Sequence, residues 1–327
     1  MSRICLYFKH PPDADRWIPG DRYLRPHIRR LIRGKRRPSG LERVFLNLKH
    51  SLDVLNIPYE ENLPFHKLDA DDRPVVLGFG RSCLEGYHQP NKIVAGIGLM
   101  AHPCQWPTLL EDYPVVRYLQ HSEWAAAMYR PHFGSAVDVW PAGIDTDTWK
   151  PNPKIESNLD LLIYDKVHWE RDSIGTKLLN TIYNYLDDKG LSHKTIRYGF
   201  YKPSAYKELL GSCKAMIYLS EHESQGFACQ QALSCNVPVL AWNPGYLQDP
   251  ERFEWGESEV PASTVPYWDS ICGMTFKSSK DLDETLPKFW NAVTTNKFHP
   301  RDYILDNLTL ASSGNQMLKI LDSAFGS

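Results

Sequence analysis

The chain alternates between short unbroken apolar runs and longer stretches in which apolar positions recur every three or four residues. Runs of the first kind lie at 4–8, 75–79, 93–100, 115–119 and 137–140, and again at 159–164, 195–198, 215–219, 237–242 and 273–276. Such runs, rich in branched and aromatic side chains and bounded by turn residues, predict strands buried on both faces. Between them, Leu41, Val44, Phe45, Leu48, Leu52 and Leu55 predict a helix over 40–55 with one buried face. The same period predicts a helix over 174–186, with further helices at 206–210 and 304–321 and one after Ser122, which suits an N-cap. Strands alternating with helices predict an α/β fold of parallel sheets.

Residues 214–245 carry the most chemistry. A strand at 215–219 leads into a polar turn at 220–225; Gly226 opens a helix that Asn236 and Pro238 end, and a strand follows. The turn thus lies outside the carboxyl end of a parallel strand, where such sheets bind ligands, and at a helix start, which favours anions. It also carries Glu221 and Glu223, whose carboxylates suit hydroxyl groups. A phosphate-friendly helix start beside carboxylate acceptors points to a nucleotide sugar; the plainer reading is a solvated acidic turn.

Glu223-Ser224-Gln225-Gly226-Phe227, then Gln231-Ala232-Leu233-Ser234 and Pro238-Val239, resemble the donor-binding motif of the family 4 retaining glycosyltransferases. Gln231 departs from it, standing where the family has a second Glu. Pro141-Ala142-Gly143-Ile144-Asp145 resembles the family's interdomain signature. The resemblance implies the GT-B architecture: two Rossmann-like domains facing across a cleft. Residues 1–150 would form the acceptor-side domain and 151–327 the donor domain, its terminal helices able to pack back on the first. By the same resemblance Lys166 and Arg171 grip the donor diphosphate. Glu221, Glu223, Gly226, Phe227 and Gln231 hold the donor sugar and ribose, and Phe200 or Tyr201 stacks on the base. Glu223 and His102 are the candidate catalytic residues. A Gln can still accept a ribose hydroxyl bond, without the charge assistance.

Composition narrows this picture. A length of 327 residues suits two domains, and 42% hydrophobic content is globular. A net charge of −2 implies no nucleic-acid field. The seven Cys are scattered without zinc spacing, as in reduced core positions of an intracellular protein. No signal peptide is expected, and no run approaches the ~20 apolar residues of a membrane span. A cytoplasmic protein is expected. Arg29, Arg30, Arg33, Lys35, Arg36 and Arg37 crowd nine residues of a proline-rich polar segment that follows the first strand. They are either a solvated face or an anion site for an acidic or phosphate-linked acceptor, with peripheral membrane contact the lesser expectation.

The expected activity is a hexosyl- or pentosyltransferase moving a sugar from a nucleotide-sugar donor to a glycan, lipid-linked or other glycoconjugate acceptor, with no cofactor and no metal. Neither Asp13-x-Asp15 nor Asp145-x-Asp147 stands at a strand end. Two other readings remain: a sugar-nucleotide epimerase of the same fold, which needs acid and base carboxylates in the cleft, and a non-catalytic relative, to which Gln231 points. Residues 247–269 fit no element.

Overall fold

In the computed structural model, residues 2–10, 15, 16, 18–22, 38–152 and 158–326 are described. The chain forms two compact units, one of Met1–Leu119, Tyr129–Asp138 and Gly314–Ser327, the other of Gln120–Met128 and Val139–Ser313. The basic run with Arg29, Arg30 and Arg33, and most of the proline-rich linker after residue 152, lie outside the described residues.

The first unit is built on a six-stranded sheet in the order β2-β1-β3-β4-β5-β6. Its strands are β1 (Ile4–Lys9), β2 (Tyr59–Glu61), β3 (Arg73–Gly78), β4 (Ile93–Gly96), β5 (Val115–Gln120) and β6 (Val137–Val139). Strands β2 to β5 pair in parallel. The helix expected over 40–55 is α1, Gly40–Val54. Ser39 and Glu42 close a capping box at its start, and Phe45 stacks on Phe8 of β1 with centroids 5.0 Å apart. The run expected as a strand over 93–100 ends as one at Gly96. Gly96 and Gly98 take φ of 147° and 101°, which leaves the extended region. Gly78 and Gly80 are likewise tight-turn glycines, with φ of 143° and 72°.

The second unit holds a five-stranded parallel sheet in the order β11-β10-β9-β7-β8. Its strands are β7 (Leu159–Lys166), β8 (His193–Arg197), β9 (Cys213–Ser220), β10 (Val239–Trp242) and β11 (Gly273–Phe276). After α2 (Glu123–Phe133) come α3 (Thr176–Asp188), α4 (Pro203–Ser212), α5 (Phe227–Ser234), α6 (Ser279–Thr294), α7 (Pro300–Asn307) and α8 (Leu310–Phe325). Both sheet faces are covered. Leu162 and Tyr164 of β7 join one apolar cluster with Tyr218, Leu233 and Ile144, while Leu161 and Ile163 join another with Leu178, Ile182 and Leu186. This is why β7 reads as an unbroken apolar run and not as an alternating one.

Where the sequence suggests one cut at residue 150, the units exchange chain on either side of it. Residues 139–150 belong with the second unit because Ile144 is in its core and bonds through its N–H to the Leu308 carbonyl at 2.8 Å. The last helix ends in the first unit, where Asp322 pairs with Arg73 at 3.0 Å and Ser323 accepts from Arg117 at 2.8 Å.

Candidate functional site

Read from β8 inward, the second sheet runs in the doubly wound order with its topological switch point between β7 and β9, so the ligand crevice falls outside the carboxyl ends of those two strands. Lys166 is the last residue of β7 and Ser220 the last of β9. The expected residues Lys166 and Glu223 meet here, with Lys166 Nζ 2.7 Å from Glu223 Oε1. The same oxygen accepts from Tyr218 OH at 2.7 Å and from Ser220 Oγ at 2.9 Å. Burial pushes the Glu223 carboxyl up, but the Lys166 charge and the three hydrogen bonds outweigh it and hold it below the usual carboxylate range. Burial likewise works against the Lys166 ammonium, and Glu223 more than restores it.

Glu221 does something else. Its Oε2 accepts from the His168 N–H at 2.9 Å, and its Oε1 from the Trp169 and Glu170 N–H groups at 2.8 and 3.2 Å. The residue is 1% exposed. Expected among the sugar-binding groups, Glu221 spends its carboxylate on shaping the loop after β7, because three orphan amides there have no strand to pair with. Arg171 is also engaged. It forms a two-pronged pair with Asp165 at 3.1 and 2.8 Å, and this bonding holds the guanidinium charged. Its Nη1 also donates to the Val167 carbonyl at 3.4 Å, so two of its five donors remain for an anion.

A pocket of about 410 Å³ lies over these strand ends, lined by Lys166, His168, Trp169, Tyr198, Ser220, Glu221 and His222. Of the expected site residues only Lys166 and Glu221 line it; Glu223 is reached through Lys166 and Ser220. Its aromatic walls went unremarked in the sequence. His222 stacks on Trp169 with centroids 5.3 Å apart and planes 8° apart, His168 meets Tyr198 edge-on at 5.8 Å, and Lys166 Nζ lies 4.9 Å from the Tyr198 ring. The signal was present as four aromatic or imidazole side chains following strand ends, but nothing in their spacing distinguishes a pocket wall from core.

Phe200 and Tyr201, paired in the expectation for the base, separate. Phe200 is 81% exposed with the Arg197 guanidinium 5.3 Å from its ring, whereas Tyr201 bonds Tyr164 OH at 2.8 Å and packs on the core. Gly226 takes φ of 80° as the N-cap of α5, a left-handed conformation that suits glycine. Phe227 packs against the core, and Gln231 lies half-buried on α5, outside the pocket lining. Gln225, a motif residue with no expected role, clamps the Ala142 N–H and C=O at 2.9 Å each. In the first unit, His102 is 2% exposed, and its Nδ1 accepts from the Cys104 N–H at 3.3 Å, capping a short turn. Its observed task is that cap.

The stretch over 247–269, unassigned by sequence, backs the site. Ser263 accepts from the Glu223 N–H at 2.9 Å, Thr264 Oγ1 donates to the Ser220 carbonyl at 3.0 Å, and Leu247, Val260 and Ala262 form a small cluster with Trp124 and Trp255. Among the described residues, no group of three or more His, Cys, Asp or Glu is placed to hold a metal ion, and no helix is long and apolar enough to cross a membrane.

The family model described as glycosyl transferases group 1 matches residues 152–249, which include β7, the pocket loop and the Glu223 turn. No curated protein matches the chain in sequence. Among solved structures, AviGT4, a glycosyltransferase involved in avilamycin A biosynthesis, shares 12% identity over 98% of each chain with a TM-score of 0.55. WaaG, a glycosyltransferase involved in lipopolysaccharide biosynthesis, shares 12% over 99% of this chain and 100% of its own, at 0.52. The lipopolysaccharide outer core galactosyltransferase WaaB, in its apo form, shares 11% over 98% and 99%, also at 0.52. Through residues 152–249 the chain matches the group 1 glycosyl transferases, and its fold is the GT-B fold of two parallel-sheet α/β domains.

Proposed function

We propose that the protein is a retaining, metal-independent glycosyltransferase that moves a sugar from a nucleotide-sugar donor to a hydroxyl of a glycan or glycoconjugate. The observation that carries this reading is the Lys166–Glu223 pair at the switch point of the second sheet, 2.7 Å apart and inside the matched family segment. The bond between the anomeric carbon and the diphosphate oxygen breaks, and the acceptor oxygen bonds that carbon from the same face. The acceptor proton passes to the departing phosphate oxygen. Lys166 and Arg171 offset the charge that grows on the diphosphate, an electrostatic effect strongest in a dry site. Glu223 orients the donor sugar, Gln231 accepts from the ribose, and the exposed Phe200 offers a face to the base.

Transfer or hydrolysis should be measured against a panel of uridine, guanosine and thymidine diphosphate sugars, with and without chelator. Turnover that survives chelator, and falls about ten- to a hundredfold in Lys166→Ala and Arg171→Ala, is expected, since a charge-assisted bond to phosphate is worth about 1.5–3 kcal/mol. Unchanged kinetics in both variants would remove these residues from the site. Activity abolished by chelator and restored by manganese would sink the metal-independent part, and sugar inversion without transfer would favour an epimerase.

A further inference from the structure

Behind the Glu223 turn lies a buried pair of amides, Gln225 at 4% exposure and Gln230 at 2%. Gln225 Oε1 accepts from the Ala142 N–H and its Nε2 donates to the Ala142 carbonyl, both at 2.9 Å, as a neighbouring strand would. The same Nε2 donates to Gln230 Oε1 at 2.9 Å, and Gln230 Nε2 donates back to the Gln225 carbonyl at 2.5 Å. All four heavy atoms of the two amides are thus engaged, and away from water such groups tolerate few other arrangements. The segment they hold on to is itself fixed. Ser313 Oγ donates to the Pro141 carbonyl at 2.8 Å, the Ile144 N–H donates to the Leu308 carbonyl at 2.8 Å, and a Cβ on Gly143 would sit 2.7 Å from the Thr309 carbonyl oxygen.

Two things hang from this anchor: the turn with Glu223, and the start of α5. Gly226 joins them with φ of 80° and no Cβ, a joint that local sterics leave loose and that the bonds between Gln230 and Gln225 span. Glu223 Oε1 is engaged by Lys166, Tyr218 and Ser220. Among the described residues its Oε2 has no hydrogen-bond partner, yet it is not sealed off, and the side chain keeps 11% exposure. Oε2 is therefore the oxygen left to accept from a ligand, and the backbone of the turn sets its direction.

We infer that, on the nucleotide-sugar reading above, Gln225 and Gln230 are positioning residues for sugar transfer. They tie the Glu223 turn and α5 to residues 141–144, so that Glu223 Oε2 meets the donor sugar in one orientation while Gln231, the next residue of α5, stays in register for the ribose. A tie that served folding alone would change stability and leave the turnover of the folded protein intact. A positioning tie acts on the chemical step, where a misplacement of about 1 Å can cost roughly a hundredfold.

The binding probe is the diphosphate, UDP, GDP or dTDP, whose sugar conjugate the native protein turns over. Gln225→Met keeps the side-chain length and removes the amide. Gln230→Met removes the bonds across the joint and leaves the Ala142 clamp in place. Gln225→Glu keeps the acceptor and, when protonated, supplies a donor again. Ligand-free melting curves fix an assay temperature at which each variant is folded. Expected in both Met variants is a kcat about tenfold lower or more, with the calorimetric diphosphate Kd within about twofold of native. In Gln225→Glu, kcat relative to native should be low at pH 8 and recover toward pH 6, because burial raises the carboxyl pKa and the protonated acid can again donate to the Ala142 carbonyl. If Gln225→Met does not fold, the other two variants decide. Native kcat in folded Gln230→Met together with a pH-independent ratio in Gln225→Glu overturns the inference. So does a kcat loss matched by an equal weakening of diphosphate binding, which marks a site disordered as a whole. Both outcomes leave the transferase reading standing. If the native protein binds no diphosphate and turns over no conjugate, the transferase reading itself has failed, and this inference with it.

Discussion

A single oxygen organises the site at the scale of residues: Glu223 Oε1 accepts from Lys166, Tyr218 and Ser220. Glu223→Gln removes the counter-charge of a largely buried ammonium, so two losses are expected. Stability should fall by about 3 kcal/mol or more, as when one partner of a buried pair is deleted, and kcat should fall at least about tenfold. Gln231→Glu, on the half-buried face of α5, should be tolerated. Melting curves and steady-state kinetics on the two variants check this, and a normal Glu223→Gln beside a dead Gln231→Glu would show the motif to be placed in the wrong register. The pair also has a pH window. The folded pKa of Glu223 is depressed, so its contribution is complete above the ordinary glutamate range and is lost as pH falls through the lower folded value. His121 sets a second limit. Burial pushes it down to about 4, against a weaker opposing bond to the Trp140 carbonyl. Between that value and the unfolded ~6.5 the unfolded chain binds the extra proton, so about 3 kcal/mol of stability present above pH ~6.5 drains away as pH falls toward 4. His121→Gln should flatten the drop in melting temperature between pH 7 and 4.5; an identical drop would clear His121 of it.

At the scale of elements, the site is a set of strand ends tied together by side chains. Glu221 leaves the end of β9 and caps the 168–170 loop that follows β7. Glu221→Gln puts an amide N–H₂ where three donors already converge. Hydrogen exchange at the amides of residues 168–170 should speed up at least about tenfold, a charge-assisted bond being worth about 1.5–3 kcal/mol; unchanged exchange would mean the loop is held by other contacts. The two carboxylates of the turn were legible in the sequence as a pair, but their separate tasks were not. A strand has a period of two that sorts its side chains by face, and a turn has none. The same limit applies to Phe200 and Tyr201. Both follow β8, yet only Tyr201 reaches the Tyr164 hydroxyl of the core. Residues 247–269 were opaque for a related reason. They hold the site by the Ser263 carbonyl, the Thr264 hydroxyl and a cluster formed with Trp124, all contacts remote in sequence.

At the scale of the whole molecule, a fold shared with AviGT4 persists at 12% identity. Parallel sheets covered on both faces ask mainly for apolar runs of the right length, and many sequences satisfy that. The sequence also carries a run of basic residues after β1, Arg29 to Arg37, outside the described residues. Neutralising Arg29, Arg30 and Arg33 together should raise the acceptor KM while donor Kd is unchanged. A weakened donor Kd in that variant would instead assign the segment to the nucleotide.

The sequence by itself determined the strands other than β2, whose Tyr59–Glu61 is short and largely exposed, and most helices, because continuous apolar runs and a period of 3.6 follow from burying two faces or one. It also determined the Glu223 turn and the end of β7, because motif spacing fixes which side chains leave neighbouring strand ends. The tertiary structure decided how residues are shared between units, since Ile144 and Asp322 answer to partners far along the chain. It likewise decided which charges are already spent. Arg171 on Asp165 and Glu221 on three amides are pairings across space, and no pattern along one chain records the distance between groups that only folding brings together.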